Sequence, residues 1–407
     1  MSSILKRLTS ADHAATYFTG LLFIAYVAAP LAIICKVGDD QQFLKLSIIS
    51  FLAAITLLFF SRLPVVDYLC SPKHPRLHIR LNVFLTVVWT AFFAFVCLAW
   101  LTAEGVPILA SISGADPETI SMLRERFLKA REGWQSSFVY INAIFSGALI
   151  PYCIALMFLN NAKYKWITLI LFLVYSLSFV EKAFFFRAFF PLFYLIAQGR
   201  IRFPFKPSTL LITMLGTLFL VTYFSGVGVI STEREADFFS ANYLPQSPLE
   251  YLVWRSVAIP IVTAADAIQL FYLQFDGEPL WGATSSLLSG LFGRERVEFE
   301  RLVFAAQWGQ NETGSGSANS VYITESFVNF GWAGVVAFSA LVGMILRMFA
   351  KSHDEAFRSL WFMFCFGVYT SGLIGQLFSN GFIIVFLLTA TIQLKHVKRS
   401  VAHAVHI

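Results

Sequence analysis

Glu325 and Asn329 are the first residues that demand a chemical account. They stand in SANSVYITESFVNFGWAG (317–334), where a Gly/Ser/Asn-rich loop runs into an apolar stretch. Tyr322, Glu325 and Asn329 fall at i, i+3 and i+7, one stripe of a helix whose other faces are apolar. A capping box would require Ser or Thr three residues before the acid, and position 322 is Tyr. A plain alternative is an acid in the first helical turn that complements the helix dipole. The chemical account makes Glu325 a general base for an incoming hydroxyl. Asp266, in VTAADAIQ, is the second candidate base.

The cations form a second set. DPETISMLRERFLKAREGW (116–134) reads as a short helix carrying Arg124, Arg126, Lys129 and Arg131. SFVEKAFFFRAFF (178–190) places Glu181, Lys182 and Arg187 in or beside an apolar run, and YLVWRSVAIP (251–260) adds Arg255. Guanidinium forks suit pyrophosphate oxygens, and charges inside apolar sequence commonly mark a site. Each has a structural counterpart. Glu125 and Glu132 could balance a solvated basic helix. Arg187 could snorkel from a surface turn at Glu181–Lys182. Arg255 could anchor at an interface beside Trp254, or pair with Asp266. Trp254, Trp281, Trp308 and Tyr322 are candidates to stack on sugar rings, with Asn319 and Asn329 as amide partners for hydroxyls. NET at 311–313 is a glycosylation sequon only in a eukaryotic secretory setting, which nothing else in the chain suggests.

The elements that must hold these residues are membrane helices. The chain is 57% hydrophobic and 13% charged, whereas soluble domains carry about a quarter charged residues. Its mean hydropathy is +0.69. Runs near the ~20 residues a bilayer requires occur at 14–35, 43–61, 81–103, 136–159, 166–180, 183–198, 209–231, 323–347, 357–376 and 380–394. The expectation is an all-α polytopic membrane protein of about ten transmembrane helices, forming a single integral membrane domain over 1–407. Alternate loops are rich in Lys and Arg, which places both termini in the cytoplasm. Two external segments remain, 104–134 with the basic helix and 232–322, a large loop containing interfacial helices. Runs 166–180 and 183–198 are short and predict a thin hairpin. Segment 249–275 is expected as an interfacial or re-entrant helix. As an eleventh span it would reverse the sidedness of the basic C-terminal loops. No internal repeat or inverted pair of broken helices is evident, which argues against a transporter. Lys6 and Arg7 precede an apolar run too long for a cleavable signal, so the first span is expected as a signal anchor. The five cysteines lack metal-site spacing. All seven histidines fall on the cytoplasmic side of this topology, so imidazole is not the base of an external site.

Four stretches, EGVPILAS with LRERFLKAREG, FVEKAFFFRAFFPLFYLI, YLVWRSVAIP and SANSVYITESFVNFGWAGVV, resemble the bacterial Wzy-type polymerases of O-antigen and exopolysaccharide repeat units. The resemblance implies a GT-C-like helical enzyme of the bacterial inner membrane. Such an enzyme moves a growing glycan from undecaprenyl diphosphate onto a new lipid-linked repeat unit at the periplasmic face. It implies no metal, cofactor or nucleotide sugar. The implied partners are the lipid-linked donor and acceptor, membrane lipids, a chain-length-regulating co-polymerase and a flippase, and no nucleic acid. It carries key roles for periplasmic arginines to Arg124, Arg126 and Arg255, and more weakly to Arg131. The related O-antigen ligases typically have a periplasmic histidine near the place of SANSVYIT, and this chain has none there. In the expected chemistry, cations stabilise charge developing on the leaving diphosphate, while a carboxylate takes the acceptor proton. The alternatives are a ligase-type glycosyltransferase and, in another class, a lipid or polysaccharide transporter.

Overall fold

The computed structural model describes residues 3–38, 41–71, 74–128, 131–178, 182–224, 237–309, 318 and 321–395. The chain is almost entirely helical. In order, the helices that matter here are α1 Ala11–Lys36, α2 Gln41–Phe60, α3 Leu81–Leu101, α4 Pro117–Leu128, α5 Gly133–Leu159, α6 Lys165–Leu177 and α7 Lys182–Ala197. They continue with α8 Pro207–Phe224, α9 Pro248–Phe275, α10 Ser286–Phe292, α11 Phe299–Trp308, α12 Tyr322–Lys351, α13 Trp361–Thr370 and α14 Phe382–Thr391. One small parallel sheet pairs β1 Leu77–Arg80 with β2 Ile392–Lys395.

Six of these helices, α1, α2, α3, α5, α9 and α12, are long and apolar enough to cross a membrane. Three of the six contain a π segment, at Ile24–Ala28, Phe145–Leu149 and Trp254–Ala258. A proline follows each segment two residues later: Pro30, Pro151 and Pro260. Proline has no N–H for the i−4 carbonyl, and its ring crowds that carbonyl. Widening the preceding turn relieves the crowding and lets the helix run on. The sequence therefore retains its helices through three prolines by locally changing the hydrogen-bond step.

One end of the bundle gathers the loops that the sequence sorts as basic. Arg347 bonds Asp67 through Nε at 2.5 Å and Nη2 at 2.6 Å, and reaches the carbonyl of Arg62. Arg358 bonds Asp12, Arg200 bonds Glu355, and Gln198 bonds the carbonyl of Lys6. The β1–β2 pair lies among the same loops. At the other end lie 102–128, 131–137 and 237–309, tied in by Ile108 N–H to Ser178, Arg131 to Ala99, and Lys36 to Asp237.

Two elements depart from the expected spans. Tyr322 Oη lies 3.2 Å from Ser339 Oγ. On a straight helix these residues would stand about 25 Å apart along the axis. The α12 run is broken at Gly331, whose φ of 59° and ψ of −149° are non-helical. The arm 322–330 folds back along 332–340, with Ser326 and Phe330 against Gly334, where no Cβ intervenes. The expected continuous span 323–347 is thus a short inserted arm followed by a helix of about 20 residues. Likewise α13 stops at Thr370, and the chain bends back after Gly372. Gln376 Nε2 donates to the Met363 carbonyl at 3.5 Å, and its side chain lies against Gly367. The runs expected as spans at 357–376 and 380–394 contain helices of only 10 residues each, α13 and α14. Each is about 15 Å long, half the ~30 Å apolar thickness.

By length and composition α9 would also suffice for a span. Its contacts hold both halves at the loop end. Trp254 Nε1 donates to the Ser240 carbonyl at 3.1 Å, and Lys45 Nζ sits 3.5 Å over the Tyr272 ring at the start of α2.

Candidate functional site

Between the loop-end tips of α1 and α2, segment 237–242, α9 and the end of α11 lies a cavity of about 700 Å³. That size is within the usual range of small-ligand pockets, about 300–1,000 Å³. Its polar lining is amide-rich: Gln42, Gln269, Gln307 and Asn242, with the carboxylate of Asp266. Asp266 and Gln269 reach it because they stand one helical turn apart on α9. Gln307 Nε2 donates to Asp266 Oδ2 at 2.8 Å and to Thr263 Oγ1 at 3.2 Å. The α9–α11 pair is thereby fixed around the acid. At the rim Lys36 pairs with Asp237 at 3.5 Å, with both side chains well exposed.

Trp254 is buried under segment 238–243 and meets Trp308 edge-on, ring centroids 6.3 Å apart. It supports the cavity wall rather than offering a face to a sugar. Trp308 remains partly exposed, and Arg255, next to Trp254, is exposed.

The other candidate residues divide. Glu325 lies outside the cavity lining. Its Oε2 accepts the backbone N–H of Leu373 at 2.6 Å and of Ile374 at 3.4 Å. It therefore closes the break after Gly372 from the inserted arm of α12, a fold role the sequence reading did not assign. Asn329 Nδ2 donates to Thr284 Oγ1 at 2.7 Å and to the Glu325 carbonyl at 2.8 Å. The backbone of Leu280 and Trp281 bonds Val328 and Asn329. Asn329 thus holds the loop before α10 onto the turn at Gly331. Tyr322 is fully buried against Ser339, which corrects its assignment as a sugar-stacking ring. Asn319 and Lys129 lie outside the described residues, as does the side chain of Lys182.

Among the described cations, Arg126 and Arg131 are engaged in separate contacts rather than in the single cradle expected from sequence. Arg126 pairs with Glu104 at 2.9 Å. Arg131 donates to the carbonyls of Phe127 at 2.6 Å and Ala99 at 2.8 Å, and to Thr102 Oγ1 at 2.5 Å. It lies 4.9 Å over the Phe138 ring. Carbonyls at the end of α3 lack helical partners, and Arg131 satisfies them, so it belongs to the fold at the α3–α5 corner. Arg124 is exposed on α4 and Arg187 is partly buried on α7. Arg255 is exposed near the start of α9.

Sequence reasoning missed Gln307, Gln269, Lys36 and Asp237. The usable signal was the i, i+3 spacing of Asp266 and Gln269 within an otherwise apolar helix. Among the described residues, no group of three or more His, Cys, Asp or Glu is placed to hold a metal ion.

The fold and site define an all-α chain with six helices of membrane-crossing length and a polar, acid-containing cavity at one end. Comparison of the chain with models of known families, with curated proteins and with solved structures finds no match.

Proposed function

We propose that this protein is a glycosyltransferase of the loop face that joins lipid-linked oligosaccharide repeat units, the polymerase class its sequence resembles. The observation that carries the proposal is the cavity, where a carboxylate held by an amide stands among further amides. Such groups hydrogen-bond sugar hydroxyls. An acceptor hydroxyl bound there attacks the anomeric carbon of the donor. Asp266 takes its proton, and the diphosphate leaves with the electrons of the broken C–O bond. Gln307 positions Asp266. Arg255, an exposed cation beside Trp254, is assigned to the developing diphosphate charge. Glu325 is assigned to the fold instead. The gathering of basic loops at the opposite end supports a cytoplasmic location for that end, with the cavity facing the periplasm across a bacterial inner membrane. A chain-length-regulating co-polymerase and a flippase are the partner classes proposed.

Reconstitution with an undecaprenyl-diphosphate-linked repeat unit, followed by gel analysis, tests the proposal. Wild type is expected to give a ladder, and Asp266→Asn a rate lower by about 10²-fold or more, the typical general-base contribution. An undiminished ladder from Asp266→Asn would refute the site. No ladder from wild type would refute the function.

The fold-backs at Gly331 and Gly372 favour a second proposal, a transporter, because interrupted helices often line transport sites. Movement of the lipid-linked unit across the proteoliposome bilayer without chain growth would select it.

A further inference from the structure

The register of the small parallel sheet sets two cations side by side. Leu77, His78, Ile79 and Arg80 of β1 stand opposite Ile392, Gln393, Leu394 and Lys395 of β2 in that order. Registered residues share a face of the sheet, and successive residues alternate between faces. One face therefore carries His78, Arg80, Gln393 and Lys395, all exposed. The other carries Leu77, Ile79, Ile392 and Leu394, and Leu394 packs onto the core. Arg80 and Lys395 stand on strands about 4.8 Å apart, and like charges directly opposite are destabilising. Among the described residues no acid relieves them. The sequence has no Asp or Glu in 68–103 or in 356–407. Asp12, Asp67 and Glu355, acids of this end, pair with Arg358, Arg347 and Arg200. Asp354 accepts from Tyr152 Oη and from the N–H groups of Ala356 and Phe357.

Arg80 directly precedes Leu81, the first residue of α3, whose 21 residues make about 31 Å of helix. That is close to the ~30 Å apolar thickness of a bilayer, so Arg80, and Lys395 beside it, stand at headgroup depth. Apolar side chains are exposed near them: Val65, Tyr68 and Leu69 in the chain before β1, and Leu77, which is 67% exposed, on β1 itself. Arg76 Nη2 donates to the Leu69 carbonyl at 2.8 Å and ties the two pieces together. A dissolved anion requires no such apolar surface. A lipid leaflet offers phosphates to a basic face and the acyl boundary to an apolar one.

We infer that this strand pair is a binding site for an anionic phospholipid, with Arg80 and Lys395 on its phosphate and Leu77 at the acyl boundary. The phosphate offsets the repulsion built into the sheet, so the bound lipid also stabilises the fold. The inference rests on the membrane reading of the six long helices and is independent of the glycosyltransferase proposal. Its test reads no chain growth, so either claim can fail alone.

Native mass spectrometry of the purified full-length protein in detergent measures the binding of single lipids, with phosphatidylglycerol as the anionic probe and phosphatidylcholine as the neutral one. Phosphatidylglycerol is expected to bind at least tenfold more tightly. Two cations near an anionic headgroup account for an affinity ratio of about 10–30-fold. Arg80→Gln with Lys395→Gln should therefore weaken phosphatidylglycerol binding at least fivefold and leave phosphatidylcholine binding unchanged. Lys163→Gln with Lys165→Gln removes the same charge around the start of α6 and should change it less than twofold. Phosphatidylglycerol should also raise the Tm of wild type more than that of the Arg80 and Lys395 double variant. Should that variant not elute as wild type on size exclusion, Lys395→Gln alone should still lose at least twofold in affinity. Inorganic phosphate should displace the lipid no better than sodium chloride of equal ionic strength. Equal binding of the two lipids overturns the inference. So does an equal loss in both double variants, which would mark a diffuse effect of net charge. Displacement by phosphate beyond the salt control overturns it in favour of a dissolved anion. Tighter binding of polyglutamate than of phosphatidylglycerol, lost in the Arg80 and Lys395 double variant, overturns it in favour of an acidic protein partner.

Discussion

The contact between Glu325 and the chain break at Gly372 can be tested by one methyl group. A Cβ added at Gly372 would lie 2.5 Å from Glu325 Cδ and 2.6 and 2.7 Å from its two oxygens. Those separations are far below van der Waals contact, so the carboxylate must move. Moving it breaks the bonds from Leu373 and Ile374 N–H. Loss of a charge-assisted hydrogen bond costs about 1.5–3 kcal/mol, and the forced shift in a packed site about 1–3 kcal/mol. Taking about 3 kcal/mol, and an unfolding entropy near 2.1 cal/mol/K per residue over the whole chain, Gly372→Ala should lower Tm by roughly 3–4 °C. A thiol-reactive dye can follow unfolding in detergent, because Cys70, Cys153 and Cys365 are buried. Gly375→Ala is the control, since its added Cβ meets nothing within 4 Å. The cost in Gly372→Ala should also shrink in a Glu325→Ala background, because the clash partner is gone. A Tm for Gly372→Ala equal to that of Gly375→Ala would refute the clamp. So would full additivity with Glu325→Ala.

Gly331→Ala should destabilise through backbone strain of about 1–3 kcal/mol, because its φ is 59° while the nearest atom to an added Cβ is 3.9 Å away. Wild-type Tm in that variant would show that the fold-back does not require glycine. At the opposite end, the hydrogen bond from Arg347 holds the Asp67 carboxyl below its ordinary range. Its stabilisation is therefore complete above the unfolded value of about 3.9, and is lost as pH falls through the lower folded value. The Tm difference between wild type and Asp67→Asn should accordingly be constant above about pH 5 and narrow below about pH 4. A difference that persists at low pH would place the effect elsewhere.

Composition and loop charge made the membrane class and the clustering of basic loops legible, because both depend on residue type alone. The folded-back arms were harder to see. Hydropathy averages over a window and cannot tell a straight helix from two halves packed together. Local chemistry did mark the breaks. NFGWAG supplies a glycine for the positive φ at 331 and a second, at 334, that admits the returning arm. In TSGLIG, Gly372 leaves room for a carboxylate from 47 residues earlier in the chain. Neither signal names its partner, and only the partner turns a tolerated glycine into a turn.

The two acids show the same limit at the site. Glu325 attracted the catalytic assignment because an acid in apolar sequence needs a reason. Its reason is a pair of backbone N–H groups exposed where a helix restarts, donors that no window around Glu325 contains. Asp266 sits in equally apolar sequence, but it accepts from the side chain of Gln307, and the two residues line a cavity. An acid that clamps backbone N–H groups at a chain break has little freedom to accept a substrate proton without loosening the fold. An acid whose oxygen faces open volume can do so with the fold intact. The choice of base thus turns on where each carboxylate stands, Asp266 in the cavity lining and Glu325 at the chain break, which is why Asp266 replaces Glu325 in the proposed mechanism.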